Sequence, residues 1–159
     1  MTPLAVTCLC LLTRTTAAGV QQVLLGHKKT GLGTGNIVGL GGHVEPGETP
    51  REAAARETRE EASVCVDPAA LLPVAEIVFR FPVRPDWDME VFVFMSSDWC
   101  GEPAESDEIT PEWFEVAELP LARMWDDARF WLPRVLAGEH IRASFTYADD
   151  CETVTSAVL

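Results

Sequence analysis

The residues with the most chemical content lie in one stretch, Gly41 to Val66, which reads GGHVEPGETPREAAARETREEASVCV. Wound into a helix at about 100° per residue, Glu57, Glu60 and Glu61 fall within an arc of roughly 100°. Like charges four residues apart destabilise a helix, so three carboxylates on one face need an explanation. One is a plain solvated acidic face. The other is a bound cation. Oxygen donors without histidine or thiol select a hard ion, Mg²⁺ or Mn²⁺. The surroundings favour the cation. Gly26–Gly42 contains Gly31, Gly33, Gly35, Gly39, Gly41 and Gly42, and such backbone can approach a ligand closely. Arg56 sits inside the acidic cluster, and Glu48 precedes it. A cation beside pliable glycine backbone suits diphosphate chemistry, where a metal neutralises phosphate charge and lowers the pKa of a bound water.

Those residues must be positioned by ordinary elements. Thr49 to about Ala62 reads as the helix that carries them. Thr49 is its N-cap, Pro50 occupies the first helical position, and Glu52 completes a capping box. Ala55, Thr58 and Ala62 form the small-residue stripe expected to pack on a sheet. Leu4–Leu12 reads as a buried strand, Thr13–Gly19 as a turn and Val20–Leu25 as the returning strand of a hairpin. Val74–Phe81 and Met89–Met95 are β-rich runs on either side of a turn containing proline and aspartate. Trp113–Val116 is a short strand. Trp125–Ala137 is a second helix, disturbed near Pro133. In His140–Tyr147, Ile141, Ala143, Phe145 and Tyr147 alternate as in a half-exposed strand. The irregular mixture of strands and helices implies a mixed sheet with helices on its faces.

Composition bounds the function. The chain has 159 residues, 47% of them hydrophobic and 23% charged, which fits one globular domain spanning residues 1–159. Acids outnumber bases 25 to 12, for a net charge of −13. Phosphate polymers and anionic membrane surfaces are therefore disfavoured as partners. A small phosphorylated substrate would need a bridging cation. Five scattered cysteines, Cys8, Cys10, Cys65, Cys100 and Cys151, form no zinc pattern and read as reduced, mostly packed thiols of a cytoplasmic protein. Leu4–Leu12 lacks the basic flank of a signal peptide, and no apolar run approaches the roughly 18 residues of a membrane helix.

The string Gly42–x5–Glu48–x7–Arg56–Glu57–Thr58–x–Glu60–Glu61–x–Ser63–Val64 closely resembles the Nudix box, G-x5-E-x7-R-E-U-x-E-E-x-G-U, with U a bulky aliphatic. Thr58 stands at an aliphatic position. Ser63 replaces the glycine that ends the helix in left-handed conformation, at a cost on the order of 1 kcal/mol. The resemblance implies an α/β fold, a Nudix-type α/β/α sandwich around a mixed β-sheet, in an enzyme that hydrolyses nucleoside diphosphates linked to another group. By position, Glu57, Glu60 and Glu61 would hold Mg²⁺ (Mn²⁺ as substitute) with the Gly41 carbonyl. Arg56 and Glu48 would form an orienting ion pair, and one helix glutamate would activate water.

The likeness extends through VLLGHKK, GLGGHVEPGET, EIVFRF, EVFVF, ESDEITPEWF and the segment around Trp125 to Pro133. It points to the branch of the family that converts oxidised purine nucleoside triphosphates such as 8-oxo-dGTP to the monophosphate and pyrophosphate. This implies a base pocket lined by Thr7, Lys28, Phe79, Phe81, Met89, Ile109, Trp125, Asp127 and Trp131, with Leu40, Gly41, Gly42 and Asp126 at its edges. Glu108 would be a metal-site acid from outside the helix. Aromatic walls suit a flat purine face, and a carboxyl such as Asp127 can read its edge.

Two positions depart from the branch. Val38 stands where an asparagine bonds the base edge, and Ala128 replaces the second of two adjacent aspartates. Asn36 could take over the asparagine's role. These departures keep two alternatives open: a Nudix hydrolase of another nucleotide, or a nucleotide-sensing module without catalysis. The intact acidic cluster argues against the second. The expected partner is a nucleotide, and the expected assembly a monomer or weak dimer.

Overall fold

The computed structural model describes residues 4–159. Nine strands and two helices follow in the order β1 (Ala5–Thr15), β2 (Gln21–Lys28), β3 (Ile37–Val38), β4 (Leu40–His43), α1 (Pro50–Ala62), β5 (Leu72–Arg80), β6 (Met89–Ser96), β7 (Ile109–Glu115), α2 (Ala128–Leu136), β8 (Ile141–Tyr147) and β9 (Val154–Val158). The sheet runs β3-β2-β1-β6-β5-β8-β9, with β4 paired to β1 and β7 to β2. It is mixed, because β1–β6 and β5–β8 are parallel and the other pairs antiparallel.

Strand β1 organises the molecule. It pairs with β6 from Ala5 to Leu12, with β4 over Thr7–Cys10 and with β2 over Thr13–Thr15. Its side chains alternate between the two faces, as strand geometry requires. Cys8, Cys10 and Leu12 join Leu24, Leu40, Ala53, Ala54, Ala62 and Phe94 beneath α1. Leu11 joins Val23, Ile37, Val93, Trp131, Leu132 and Phe145 on the opposite side, where α2 lies. The result is a sheet between two helical layers.

Helix α1 begins as its sequence implies. Thr49 accepts from the Glu52 N–H, Glu52 bonds back to the Thr49 N–H, and Pro50 opens the first turn. Thr58 bonds the Ala54 carbonyl at 2.8 Å, so its hydroxyl is satisfied although fully buried. The packed stripe is rotated from the expected one. Ala53, Ala54, Thr58, Glu61 and Ala62 are buried, while Ala55 is only partly covered. An acid, Glu61, therefore lies on the face that packs.

The helix ends at Ser63 with φ 60° and ψ 27°. A residue with a Cβ is strained in that left-handed region. Ser63→Gly relieves the strain but frees the unfolded chain, for a net gain of about 0.5 kcal/mol. A thermal melt should show Tm rising by about 1–2 °C. A fall would mean that Ser63 contributes something beyond its backbone.

Several expectations change in the structure. β7 starts at Ile109, well before Trp113, because its full length pairs with β2. The glycine-rich loop contains two short strands. β9 has no counterpart in the sequence pattern, since it is an edge strand exposed along most of its length. Helix α2 starts at Ala128, with Asp127 as a cap residue whose carboxyl is used elsewhere. The thiols are not mostly packed: Cys8 and Cys10 are buried, Cys151 is intermediate, and Cys65 and Cys100 are exposed. Among the described residues, no helix is long and apolar enough to cross a membrane.

Candidate active site

Glu57 and Glu61 project from α1 toward the loop that ends at Glu108. One carboxylate oxygen from each of the three lies within 4.8 Å of the others. Glu57 is half-buried, Glu61 is 6% exposed, and Glu108 is open to solvent. Glu60 stands apart, its side chain 56% exposed and bonded to Arg56 at 3.1 Å. The helix thus offers two acids to the cluster, and a distant loop offers the third.

The backbone allows this because β4 comes very close. A Cβ on Gly41 would lie 1.9 Å from the Cys8 carbonyl oxygen, and one on Gly42 would lie 2.7 Å from the Glu57 carboxyl. The Gly41 N–H donates to Glu61 at 2.8 Å. Glycines here are a packing requirement rather than a source of mobility.

Arg56 holds the cluster from the other side. It grips Glu48 with two bonds, at 2.8 and 3.0 Å, and reaches Glu57 at 2.9 Å and the His43 carbonyl at 3.1 Å. A guanidinium fork suits this branching arrangement. The bond from Arg56 holds Glu48 below the usual glutamate range. Burial pushes Glu57 upward against the pull of Arg56. Burial also pushes Glu61 up, to about 7; the Gly41 N–H opposes the shift, and the charges of Glu57 and Glu108 add to it. Converging carboxylates, with Glu57 and Glu61 both pushed upward, form a hard-oxygen donor set that a divalent cation would neutralise. The residues fit such an ion.

Next to the acids a cavity of about 280 Å³ opens, lined by Thr7, Lys28, Val38, Gly41, Gly42, Phe79, Phe81, Met89, Ile109, Trp125, Asp127 and Trp131. Glu61 lies on its wall, so the acidic cluster and the apolar cavity form one continuous site. Phe79, near the end of β5, and Phe81, one residue beyond that end, both line the cavity, as their period-two spacing implies.

Three sequence-derived residues fall elsewhere. Leu40 is fully buried under α1 and does not line the cavity, because strand alternation turns it away from Gly39 and Gly41. Asn36 lines a neighbouring cleft with Thr34, Trp87 and Asp150, on the other side of Trp125. The turn before it, with positive φ at Gly31, Gly33 and Gly35, carries it outward, away from the cavity that Val38 lines. Asp126 faces that same cleft and is engaged by Arg129 and the Val154 N–H, both at 2.8 Å. Arg129 holds it below the usual aspartate range.

Only Asp127 of the aspartate pair reaches the cavity, and Ala128 lines it where a second carboxyl was in question. Asp127 accepts bonds from the Trp131 indole at 2.8 Å and from the Tyr147 hydroxyl. Burial pushes its pKa upward against both. Tyr147 was not foreseen as a site residue. It stacks on Phe81 at 4.8 Å, meets Trp125 edge-on, and lines the cavity. The available signal was the alternation of β8, which places the chain's single tyrosine beside Phe145 on an inward face.

Comparison with known proteins agrees with this geometry. Residues 1–135 match the family model described as the NUDIX domain. A Danio rerio protein named oxidized purine nucleoside triphosphate hydrolase is 39% identical over 137 residues, covering 86% of this chain and 86% of its own. The Mus musculus protein of the same name is 38% identical over 136 residues, covering 86% and 85%. A mutator MutT protein structure from Bacillus halodurans superposes with a TM-score of 0.81 at 23% identity, covering 98% of this chain and 97% of that one. The last shows the fold alone. The mixed sheet between two helices, the glutamate helix against glycine backbone and the extended sequence match agree: the chain belongs to the Nudix family of hydrolases, enzymes that generally use divalent metal ions.

Proposed function

We propose that the protein hydrolyses oxidised purine nucleoside triphosphates, such as 8-oxo-dGTP, to the monophosphate and pyrophosphate with Mg²⁺. The observation that carries this reading is the continuity of the acidic cluster, through Glu61, with an aromatic cavity that also holds the buried Asp127 carboxyl. The cavity would take the base between Phe79, Phe81, Trp125 and Tyr147. The acids lie where the phosphates would emerge. The relatives' names supply the substrate class.

Glu57, Glu61 and Glu108 would hold Mg²⁺, or Mn²⁺ in its place, with the Gly41 carbonyl and Glu60 bordering the site. When bound, the ion offsets phosphate charge and makes a coordinated water more acidic. Arg56 fixes the Glu57 carboxylate and, by pairing with Glu48, keeps its own charge in place. Lys28, on the cavity wall, supplies a positive charge to a phosphate tail that this acidic chain would otherwise repel. One glutamate of α1 accepts the proton of the attacking water.

A second reading, hydrolysis of a nucleotide with a different base, is favoured by one observation. Val38 and Ala128 offer no hydrogen bond to a base edge, and Asn36 faces the neighbouring cleft. A site lacking such bonds loses much of its discrimination. A panel of nucleotides assayed for pyrophosphate release with Mg²⁺ decides between the readings. The first expects kcat/KM for 8-oxo-dGTP to exceed that for dGTP by roughly tenfold or more. Equal rates on both, or preferred cleavage of another nucleotide, would select the second.

A further inference from the structure

Cys65 and Cys100 face each other as an isolated antiparallel bridge. Each backbone N–H donates to the other's carbonyl at 2.9 Å. Such hydrogen-bonded pairs hold their Cα atoms about 5.5 Å apart, inside the roughly 4.4–6.8 Å range that a disulfide spans. Directly opposed residues put their side chains on one face of the pair. Both thiols are exposed, so a small oxidant can reach that face. No neighbouring strand pair extends the bridge, and an isolated pair can twist to bring its sulfurs together more readily than a continuous ladder can.

The location gives the pair a consequence. Cys65 lies two residues beyond the Ser63 cap of α1, the helix that carries Glu57 and Glu61. Cys100 begins the segment 100–108, which ends at Glu108. That segment already touches the helix end. The Ala104 N–H donates to the Ala62 carbonyl at 2.9 Å, and a Cβ on Gly101 would lie 3.1 Å from the Ser63 carbonyl oxygen. At its far end, Lys29 bonds the Ser106 carbonyl at 2.9 Å and pairs with Glu105. The Lys29 contacts are exposed, hence individually weak.

We propose that Cys65 and Cys100 are a redox modification site, a reversible disulfide that fastens the Glu108-bearing segment to the end of α1. The oxidant class is a low-molecular-weight disulfide. The first thiolate attacks a sulfur of glutathione disulfide, forming a mixed disulfide and releasing one glutathione thiolate. The second cysteine thiolate then attacks the protein sulfur of that mixed disulfide and displaces the second glutathione. One protein S–S bond forms, one glutathione S–S bond breaks, and two protons pass from the cysteines to the departing thiolates. The bond itself does not depend on the proposed substrate; only its influence at Glu108 rests on the hydrolase reading.

The test uses the full chain incubated with glutathione disulfide, digested without reductant and analysed by mass spectrometry. A linked peptide pair joining Cys65 and Cys100, two hydrogens lighter than the separate peptides and separated by reductant, is expected. It should be absent from Cys65→Ser and Cys100→Ser. Hydrogen exchange in residues 101–108 should slow by about threefold or more on oxidation, with no change in either serine variant. Glutathione retained on each cysteine separately, or linkage only to Cys151, overturns the proposal. A linked pair with unaltered exchange in 101–108 overturns the coupling to the segment. None of these outcomes requires nucleotide or metal, so a failed substrate assay leaves the result readable.

Discussion

Glu61→Gln is expected to be more stable than the parent without metal and inactive with it. The amide oxygen can still accept the Gly41 N–H now received by the carboxylate at 2.8 Å, while the buried negative charge is gone. Burial raises Glu61 from an ordinary value of 4.5 to about 7, so the folded chain favours the protonated form more than the unfolded chain does. The corresponding stability is fully present below about 4.5 and is lost as pH rises through about 7. Metal-free parent protein should therefore melt at lower temperature at pH 8 than at pH 5. The variant should lack this part of the decline. At pH 8 it should gain on the order of 2 kcal/mol, or about 5 °C in Tm. Pyrophosphate release should fall by roughly 10³-fold or more, because the ion loses an anionic donor. Addition of Mg²⁺ should raise the parent's Tm and leave the variant's nearly unchanged. Retention of activity within tenfold of the parent would remove Glu61 from the metal site. A site that is more stable once its function is removed is the expected trade where like charges converge.

Asp127→Ala should affect both stability and base selection. It leaves the Trp131 indole N–H and the Tyr147 hydroxyl without their acceptor in a place where both side chains are almost fully buried. Unpaired buried donors cost about 1–3 kcal/mol each, so a loss near 3 kcal/mol and a Tm lower by about 6–10 °C follow. Tyr147→Phe is the milder companion, since it keeps the stack on Phe81 at 4.8 Å and removes only the two hydrogen bonds its hydroxyl makes with Asp127, at a cost of about 1–2 kcal/mol. If Asp127 also reads the base edge, kcat/KM for the preferred purine triphosphate should fall about 10²-fold in Asp127→Ala, and the ratio of oxidised to unmodified substrate should collapse. Equal losses on both substrates would leave Asp127 as a brace for Tyr147 and Trp131 alone. Steady-state kinetics on 8-oxo-dGTP and dGTP, beside thermal melts, separate the two roles.

The legible parts of the site were those in which local spacing does the positioning. The capping box of α1, the left-handed Ser63 and the Glu48–Arg56 pair all involve residues at most eight positions apart. The period-two pairing of Phe79 and Phe81 is of the same kind. Short separations leave the backbone few alternatives once helix or strand is chosen, so the pattern carries the geometry. Asn36 and Leu40 lie away from the cavity for the complementary reason. Their orientation depends on how the glycine turn departs from β2 and on which face of β4 meets α1, and neither follows from residue type.

The string of glycines, glutamates and arginine by itself determined the family and the helix that carries its acids, and it implied a hard-ion chemistry. Only the tertiary structure decided which acids converge. Glu60 lies on the same helical arc as Glu57 and Glu61, yet Glu108, far along the chain, takes the third place in the cluster because β7 pairs with β2 and brings the preceding loop over α1. The same holds for the cavity, where Asp127 faces inward, Asp126 faces out toward β9, and Tyr147 arrives on β8. Helical and strand periodicity fix directions over a few residues, whereas the distance between remote segments is set by strand register and by how the layers stack.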